Sequence, residues 1–134
     1  MSALDRICKI LCWNVCGLNS LDKWPIILNK IVESNACILC FQETKKGDID
    51  HLFLRNFLPK RFDQFLFVPS EGASGGLLMA WVGNLFLGRS IQQESFGMIV
   101  EFTSKLSLES FTVVNVYGPC DGLPRENFIA WLFC

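Results

Sequence analysis

The chain has 134 residues, which is enough for one small domain and too few for two. Its formal net charge of -1 excludes an overall basic field that would attract nucleic acid, so any contact with DNA would rest on local patches. Hydrophobic residues make up 51% of the chain and the mean hydropathy is +0.34, which argues against a disordered protein.

The seven cysteines favour a reducing compartment over a disulfide-bonded secreted scaffold. Their number is odd, they lie within apolar runs, and the opening residues contain no apolar segment typical of a signal peptide. We therefore expect an intracellular protein with buried thiols, not a secreted one. The pair Cys37-x-x-Cys40 raises the alternative of a zinc site, but no second Cys-x-x-Cys or His pair follows it. No membrane span is predicted, because the longest uncharged run, residues 72–88, is too short and is interrupted by glycines.

The first part of the chain predicts a strand, a helix and a second strand. Residues 6–15 are apolar on both faces, which is typical of a central strand covered on both sides. Apolar residues at intervals of three and four predict the helix, which Ser20 or Asp22 caps and which ends at residues 34–35. Residues 36–41 form the second strand. The apolar stripe of the helix consists of Leu21, Trp24, Ile27, Leu28, Ile31 and Val32.

Two polar residues follow these strands. Asn14 ends the first strand and Glu43 follows the second. A helical crossover places the two strands in parallel, so both residues reach the same edge of the sheet, where such sheets bind ligands. A carboxylate there suits Mg²⁺, which prefers oxygen ligands and takes only one or two carboxylates from the protein. Two alternatives stay open: a glutamate that is only solvated and an asparagine that only forms local turn hydrogen bonds.

A second, shorter helix is predicted to have Asp48 as its N-cap and to end at Pro59. His51, the only histidine, lies on this helix away from its apolar face, so we expect it to face solvent rather than to act in catalysis. The apolar face consists of Ile49, Leu52, Phe53 and Phe57.

From residue 64 onward the pattern changes to short strands, with hairpin turns predicted at residues 83–84 and 103–104. The glycine-rich loop at residues 71–76 has no lysine after its glycines, so it is not a nucleotide-binding P-loop, and it serves to let the next strand begin. Tyr117 ends the last strand, where its phenol would contact a phosphate or only cap the core. A further helix is predicted at residues 124–132. The predicted strands span residues 64–68, 76–82, 85–92, 98–103 and 110–116.

Three motifs stand out: WNVCGLN at residues 13–19, QETK at residues 42–45 and VNVYGP at residues 114–119. In this order and spacing they resemble the endonuclease/exonuclease/phosphatase superfamily. The resemblance is strongest to the endonuclease domain of plant LINE-type (non-LTR) retrotransposons, which is related to apurinic-apyrimidinic endonucleases. Ser74-Gly75-Gly76 leading into a strand adds to a match that covers nearly the whole chain.

The resemblance implies an α/β (α+β) fold, with residues 1–134 as the N-terminal half of a four-layer α/β/β/α sandwich of the DNase I-like type. It implies Mg²⁺-dependent cleavage of phosphodiester bonds in DNA, with Mn²⁺ as an alternative metal and no small-molecule cofactor. By the resemblance, Glu43 would be the metal ligand, Asn14 would help to hold the metal and position water or phosphate there, and Tyr117 would hydrogen-bond the scissile phosphate. A nuclear location would follow if DNA is the substrate.

The chain also departs from the family, whose second half has an Asp-x-Asn motif, a further Asp and a closing Ser-Asp-His. Residues 121–123 are not Asp-x-Asn, and His51 is not preceded by Ser-Asp. We therefore expect an N-terminal half with little activity alone, because losing a general base by itself slows cleavage by about 10²–10⁴-fold. Half a sandwich would also leave apolar surface and strand edges uncovered, so we expect self-association.

Two other functions stay open. One is a non-catalytic α/β binding or interaction module that keeps the residues at this edge. The other is a phosphatase or deadenylase relative within the same superfamily, because a fold resemblance does not determine the substrate.

Overall fold

The computed structural model of the protein describes residues 8–72 and 74–117, and these form two β-sheets and two helices. The predicted helix at residues 124–132 and the end of the VNVYGP motif lie outside the described residues. In chain order the elements are β1 (Ile10–Asn14), α1 (Lys23–Ser34), β2 (Ile38–Gln42), α2 (His51–Leu54), β3 (Gln64–Val68), β4 (Leu77–Trp81), β5 (Phe86–Glu94), β6 (Gly97–Ser104) and β7 (Ser110–Val116).

The first sheet has the strand order β1-β2-β4-β3, and the opening strand–helix–strand prediction is confirmed in it. β1 and β2 are parallel, and Asn14 lies opposite Gln42 at their C-terminal ends. The helix α1 connects them and buries Ile27 and Ile31. It ends at Asn35, where the prediction placed its end, because Asn35 adopts the left-handed conformation (φ 55°) that closes a helix.

The second sheet consists of β5, β6 and β7 in antiparallel order. β7 has the bounds predicted from the sequence, as does β3 in the first sheet. The alternation predicted along β7 is also confirmed, since Val113 and Asn115 are buried while Thr112 and Val114 are exposed. A strand with one covered face places every second side chain towards the core, and β7 shows this pattern.

The two sheets pack face to face, with β7 opposite β2 and β4 and with β5 opposite β3. The layer between them contains Ile38, Met79 and Val100, and a second core lies between the first sheet and the helices. Gly88 lets the two sheets approach closely, because a Cβ at this position would overlap the indole ring of Trp81. This mixed α/β architecture of two packed sheets confirms the predicted fold class.

The prediction that the first strand is central is wrong. β1 begins at Ile10, not at residue 6, and among the described strands it lies at the edge of its sheet, with Ile10, Cys12 and Asn14 exposed. Apolar residues on both faces indicate that both faces of a strand can be covered. They do not determine whether the strand has a neighbour on each side, which decides whether it is central or at an edge. The expectation of buried thiols accordingly holds for Cys40 and is wrong for Cys12 and Cys16.

The second helix differs from its prediction in both position and buried face. It begins after Asp50, whose side chain accepts a hydrogen bond from Phe53 N at 2.8 Å, so Asp50 rather than Asp48 is the N-cap. The helix has only four residues, and Leu52 is 82% exposed although it was assigned to the apolar face. The buried residue on the helix is Leu54.

The two predicted hairpin turns are also wrong. The turn at residues 83–84 connects β4 in one sheet to β5 in the other, so it is a crossing between layers and not a hairpin. Residues 103–104 belong to β6, and the hairpin turn to β7 follows them. Within the described ranges, neither helix is long and apolar enough to cross a membrane.

Candidate active site

Glu43 and Tyr117, two of the three residues predicted for the site, are in contact. The Tyr117 hydroxyl donates a hydrogen bond to Glu43 Oε1 at 3.1 Å. Glu43 follows β2 in the first sheet and Tyr117 follows β7 in the second, so this bond joins the two sheets at one end of the sandwich. Both side chains are half-buried, which leaves this end accessible to a ligand.

The backbone around Glu43 is held in an uncommon conformation. Glu43 and Lys45 have left-handed φ values of 55° and 56°, a region that non-glycine residues seldom occupy without support from their surroundings. The support comes from the loop after β1, whose Gly17 N donates to Glu43 O at 2.6 Å and whose Leu18 N donates to Thr44 O at 2.9 Å. The loop after β1 and the QETK segment therefore hold each other in place.

The glycine-rich loop supports the same segment from the other side. Thr44 N donates to Gly76 O at 3.2 Å, and Lys45 N donates to Gly75 O at 2.9 Å. Gly76 has a φ of 94°, and a Cβ there would overlap the hydroxyl of Thr44, which is fully buried. The predicted role of this loop, to let a strand begin, is therefore incomplete, because the loop also braces the turn that carries Glu43.

Asn115 is a residue whose role at the site sequence reasoning missed. It is 1% exposed, and its amide nitrogen donates to Phe41 O at 3.2 Å and to Leu78 O at 3.1 Å, both in the first sheet. Its amide oxygen accepts from Gln42 Nε2 at 2.7 Å. The signal in the sequence was a polar residue on the otherwise apolar face of β7, since a buried amide requires partners.

Asn14 reaches the same edge of the sheet but is turned towards its own loop. Val15 N donates to Gln42 O at 3.0 Å, which ties the end of β1 to β2 beside Glu43. The Asn14 amide oxygen accepts from Cys16 N at 3.1 Å and from Cys16 Sγ at 3.3 Å. This is the local turn role that the sequence left open, and Asn14 is exposed at the edge while performing it.

Lys23, at the start of α1, fixes the loop that follows Asn14. Its ammonium donates to Val15 O at 3.0 Å, to Gly17 O at 3.2 Å and to Cys16 O between them. Cys16 and Gly17 both have positive φ values, and three carbonyls turned towards one ammonium are consistent with that conformation.

The donor set at this edge fits a Mg²⁺ ion held mainly by one carboxylate. Glu43 supplies that carboxylate, and Asn14 carries an amide oxygen at the neighbouring strand end. Within residues 8–72 and 74–117, no three His, Cys, Asp or Glu side chains group closely enough to hold a metal without other ligands. Mg²⁺ usually keeps several waters and takes few protein ligands, whereas zinc takes three or four, so one carboxylate with an amide oxygen suits Mg²⁺ better than zinc.

Other residues singled out by the sequence take no part in this geometry. His51 is exposed, which confirms the prediction that it faces solvent, and its ring packs edge-on against Phe65 at 4.8 Å. Burial, and the neighbouring thiol of Cys12, raise the pKa of the Cys40 thiol, so this thiol stays protonated and unreactive.

Comparison with known proteins identifies the fold. The chain is similar to the solved structure of the AP endonuclease LMAP from Leishmania major, with a TM-score of 0.61 and 21% identity over 94% of this chain and 45% of that chain. It is similar to the catalytic domain of Xenopus laevis APE2, with a TM-score of 0.61 and 17% identity over 89% of this chain and 48% of that one. No protein-family model matches the chain, and neither does any curated protein sequence.

The chain spans about half the length of the solved structures that it matches. Those neighbours are AP endonucleases, which have the DNase I-like fold of the endonuclease/exonuclease/phosphatase superfamily. The prediction of a DNase I-like α/β sandwich is therefore confirmed.

Proposed function

We propose that this chain carries one part of the active site of a metal-dependent phosphodiester hydrolase that cleaves DNA. The observation that supports this most directly is the hydrogen bond from Tyr117 to Glu43, which links two predicted site residues across 74 positions and two sheets. The neighbours named above are DNA-processing enzymes with the same fold, which favours a nuclease over other hydrolases.

Each residue has a chemical role that suits its type. Glu43 would hold Mg²⁺, with Mn²⁺ as an alternative, and a bound divalent ion offsets the negative charge that builds on phosphate oxygens. Tyr117 is a neutral donor, so it would hydrogen-bond a phosphate oxygen without adding repulsion once its single O–H turns from Glu43 Oε1 to that oxygen. Asn14, also neutral, would position phosphate or water at the same edge, with its orientation set by the loop that Lys23 fixes.

More specifically, we propose a DNA endonuclease of the LINE retrotransposon type, acting in the nucleus. Residues 1–134 would be the N-terminal half of that domain. The Asp-x-Asn and Ser-Asp-His motifs of the family that the chain resembles do not occur in the sequence, so we expect the chain alone to cleave DNA slowly or not at all.

A non-catalytic binding module stays an alternative, because the sequence lacks those second-half motifs. A phosphatase-type relative stays a further alternative because the fold is common to several substrate classes. Both alternatives differ from the nuclease in the metal binding that they predict when DNA is present.

The test is Mn²⁺ binding followed by electron paramagnetic resonance, with and without a short DNA duplex. We expect wild type to bind Mn²⁺ more tightly when DNA is present, and Glu43→Gln to lose that binding. Glu71→Gln is the matched control, because Glu71 is an exposed carboxylate whose hydrogen bonds with Ser74 involve only the backbone of Glu71.

Plasmid nicking in Mg²⁺ by the same three proteins is the second measurement. Nicking that vanishes only in Glu43→Gln would make the chain a working nuclease, whereas metal binding without nicking would support a partial site. Equal Mn²⁺ binding by all three proteins would refute the proposed function and favour the binding module.

A further inference from the structure

β1 is an unprotected edge strand. Its residues Ile10–Asn14 carry no charge and contain no bulge, and no strand of the described residues pairs with its outer side. Natural sheets usually protect such edges with charges or bulges, because an open edge pairs with other chains. The opposite side of the sandwich has this protection: β5 carries Arg89, Glu94 and a bulge between Ser90 and Gln92.

The face of β1 that points between the sheets is also uncovered. Cys12 interacts with buried Cys40, so the face of β1 that carries Ile10 and Cys12 points into the layer between the sheets. Ile10 is nevertheless 43% exposed, and β7 lies opposite β2 and β4. β7 itself is uncharged and exposes Val114, so two unprotected strands lie on this side.

The other face of β1 borders a groove of about 420 Å³ against α1. Trp13 and Ile26 form its apolar part, and Ile26 is 60% exposed. Lys30 and Glu33 lie on the same helix, one positive and one negative. This surface is self-complementary, since a two-fold axis can bring Lys30 of one copy to Glu33 of another while the edge strands pair antiparallel.

We infer that the open edge, defined as Ile10, Cys12, Ile26, Lys30 and Glu33, is the dimerisation surface of this chain, and that its occupant is a second copy. The two β1 strands pair antiparallel and join the first sheets of the two copies. Burying Ile10 and Ile26 supplies the apolar contribution to the free energy of dimerisation. Because Lys30 and Glu33 have opposite charges, two copies of this surface can meet without net repulsion. Because Asn14 ends β1, dimer formation also places the candidate site at the border of the interface.

Light scattering coupled to size-exclusion chromatography tests this inference on the chain itself. We expect light scattering to give wild type a molar mass of about twice 15.2 kDa at micromolar concentration, and a lower mass on dilution as the dimer dissociates. Ile10→Lys places a buried charge in the interface and is expected to give a monomer. Ile91→Lys is the matched control, because Ile91 is 47% exposed on the protected strand β5, and it is expected to stay dimeric.

A charge exchange adds a test that loss of folding cannot imitate. Lys30→Glu is expected to weaken the dimer at least tenfold, and the double variant Lys30→Glu with Glu33→Lys is expected to restore it. Circular dichroism spectra of all variants should match that of wild type. A wild type that is monomeric at every concentration would overturn the inference, as would a dimer that Ile91→Lys disrupts and Ile10→Lys does not. The metal-binding result at Glu43 is independent of either outcome.

Discussion

Replacing Asn115 by alanine is the most direct test of how the two sheets are joined beneath the candidate site. The Asn115 amide makes three hydrogen bonds, two to backbone carbonyls of the first sheet and one to the Gln42 side chain, at 2.7 to 3.2 Å. All three cross from β7 to the other sheet. Among the described residues, Asn115 is the only buried asparagine, so its loss removes contacts that no neighbouring residue of that type replaces.

The expected cost follows from burial. A hydrogen bond contributes about 1 kcal/mol net, so three lost bonds give about 3 kcal/mol, and more if the carbonyls of Phe41 and Leu78 stay without a partner. Gln42 retains its second acceptor, Cys40 O at 3.1 Å, which limits its share of the loss. A domain of this size is stable by about 5–15 kcal/mol, so the variant would fold with a melting temperature roughly 10 °C lower.

Urea denaturation at one fixed protein concentration measures the free energy of unfolding. Val114→Ala is the control on the same strand, since Val114 is 47% exposed on the opposite face and its truncation should cost little. Asn115→Asp keeps the volume and removes the donors, so it is expected to destabilise the protein at least as much as alanine and thereby to exclude a simple cavity effect. If Asn115→Ala lowers the stability by less than about 1 kcal/mol, the amide does not hold the sheets together and the argument fails.

Gly76→Ala is expected to cost about 2–4 kcal/mol in urea denaturation, because its φ is positive and its Cβ site is occupied, whereas Gly47→Ala, with no atom within 4 Å of its Cβ site, should be nearly neutral. Equal costs would contradict this. Mass spectrometry after iodoacetamide treatment should find Cys12 alkylated well before the buried Cys40. While the Cys40 thiol is protonated in both the folded and the unfolded state, its raised pKa does not change the stability with pH. At higher pH the thiol ionises in the unfolded state but not in the folded state, which favours unfolding. Stability should therefore fall above about pH 8.5, by up to about 1.4 kcal/mol per pH unit, and Cys40→Ala should remove that part of the slope. Lys23→Met is expected to speed amide hydrogen exchange in the loop after β1, and unchanged exchange would show that the ammonium does not fix it.

Much of the local structure followed from the sequence because its causes are local. The period of two in residues 110–116 and the apolar run at 64–68 each set the bounds of a strand. The period of three and four in α1, followed by Asn35, set the helix and its end. The helical connection then required parallel strands, and this alone was enough to place Asn14 and the QETK segment at one edge.

Other features depended on contacts between distant parts of the chain. Whether β1 is central or at an edge depends on how many strands lie beside it, and apolar residues on both faces do not determine that number. The connection after Trp81 was expected to be a hairpin, yet it crosses to the second sheet, where Gly88 packs closely against that indole. The same turn residues occur in a hairpin and in a crossing between two sheets, so they do not distinguish the two connections.

The candidate site divides in the same way. The sequence alone determined which residues carry suitable chemistry: a carboxylate after β2, an amide after β1 and a phenol after β7. Only the tertiary structure decided that Tyr117 donates to Glu43 and that Asn115 joins the sheets below them, because these bonds span 73 or 74 residues of chain or, in one case, 37. A hydrogen bond between such distant residues forms only where packing of the two sheets brings their ends together, and no local pattern encodes that distance.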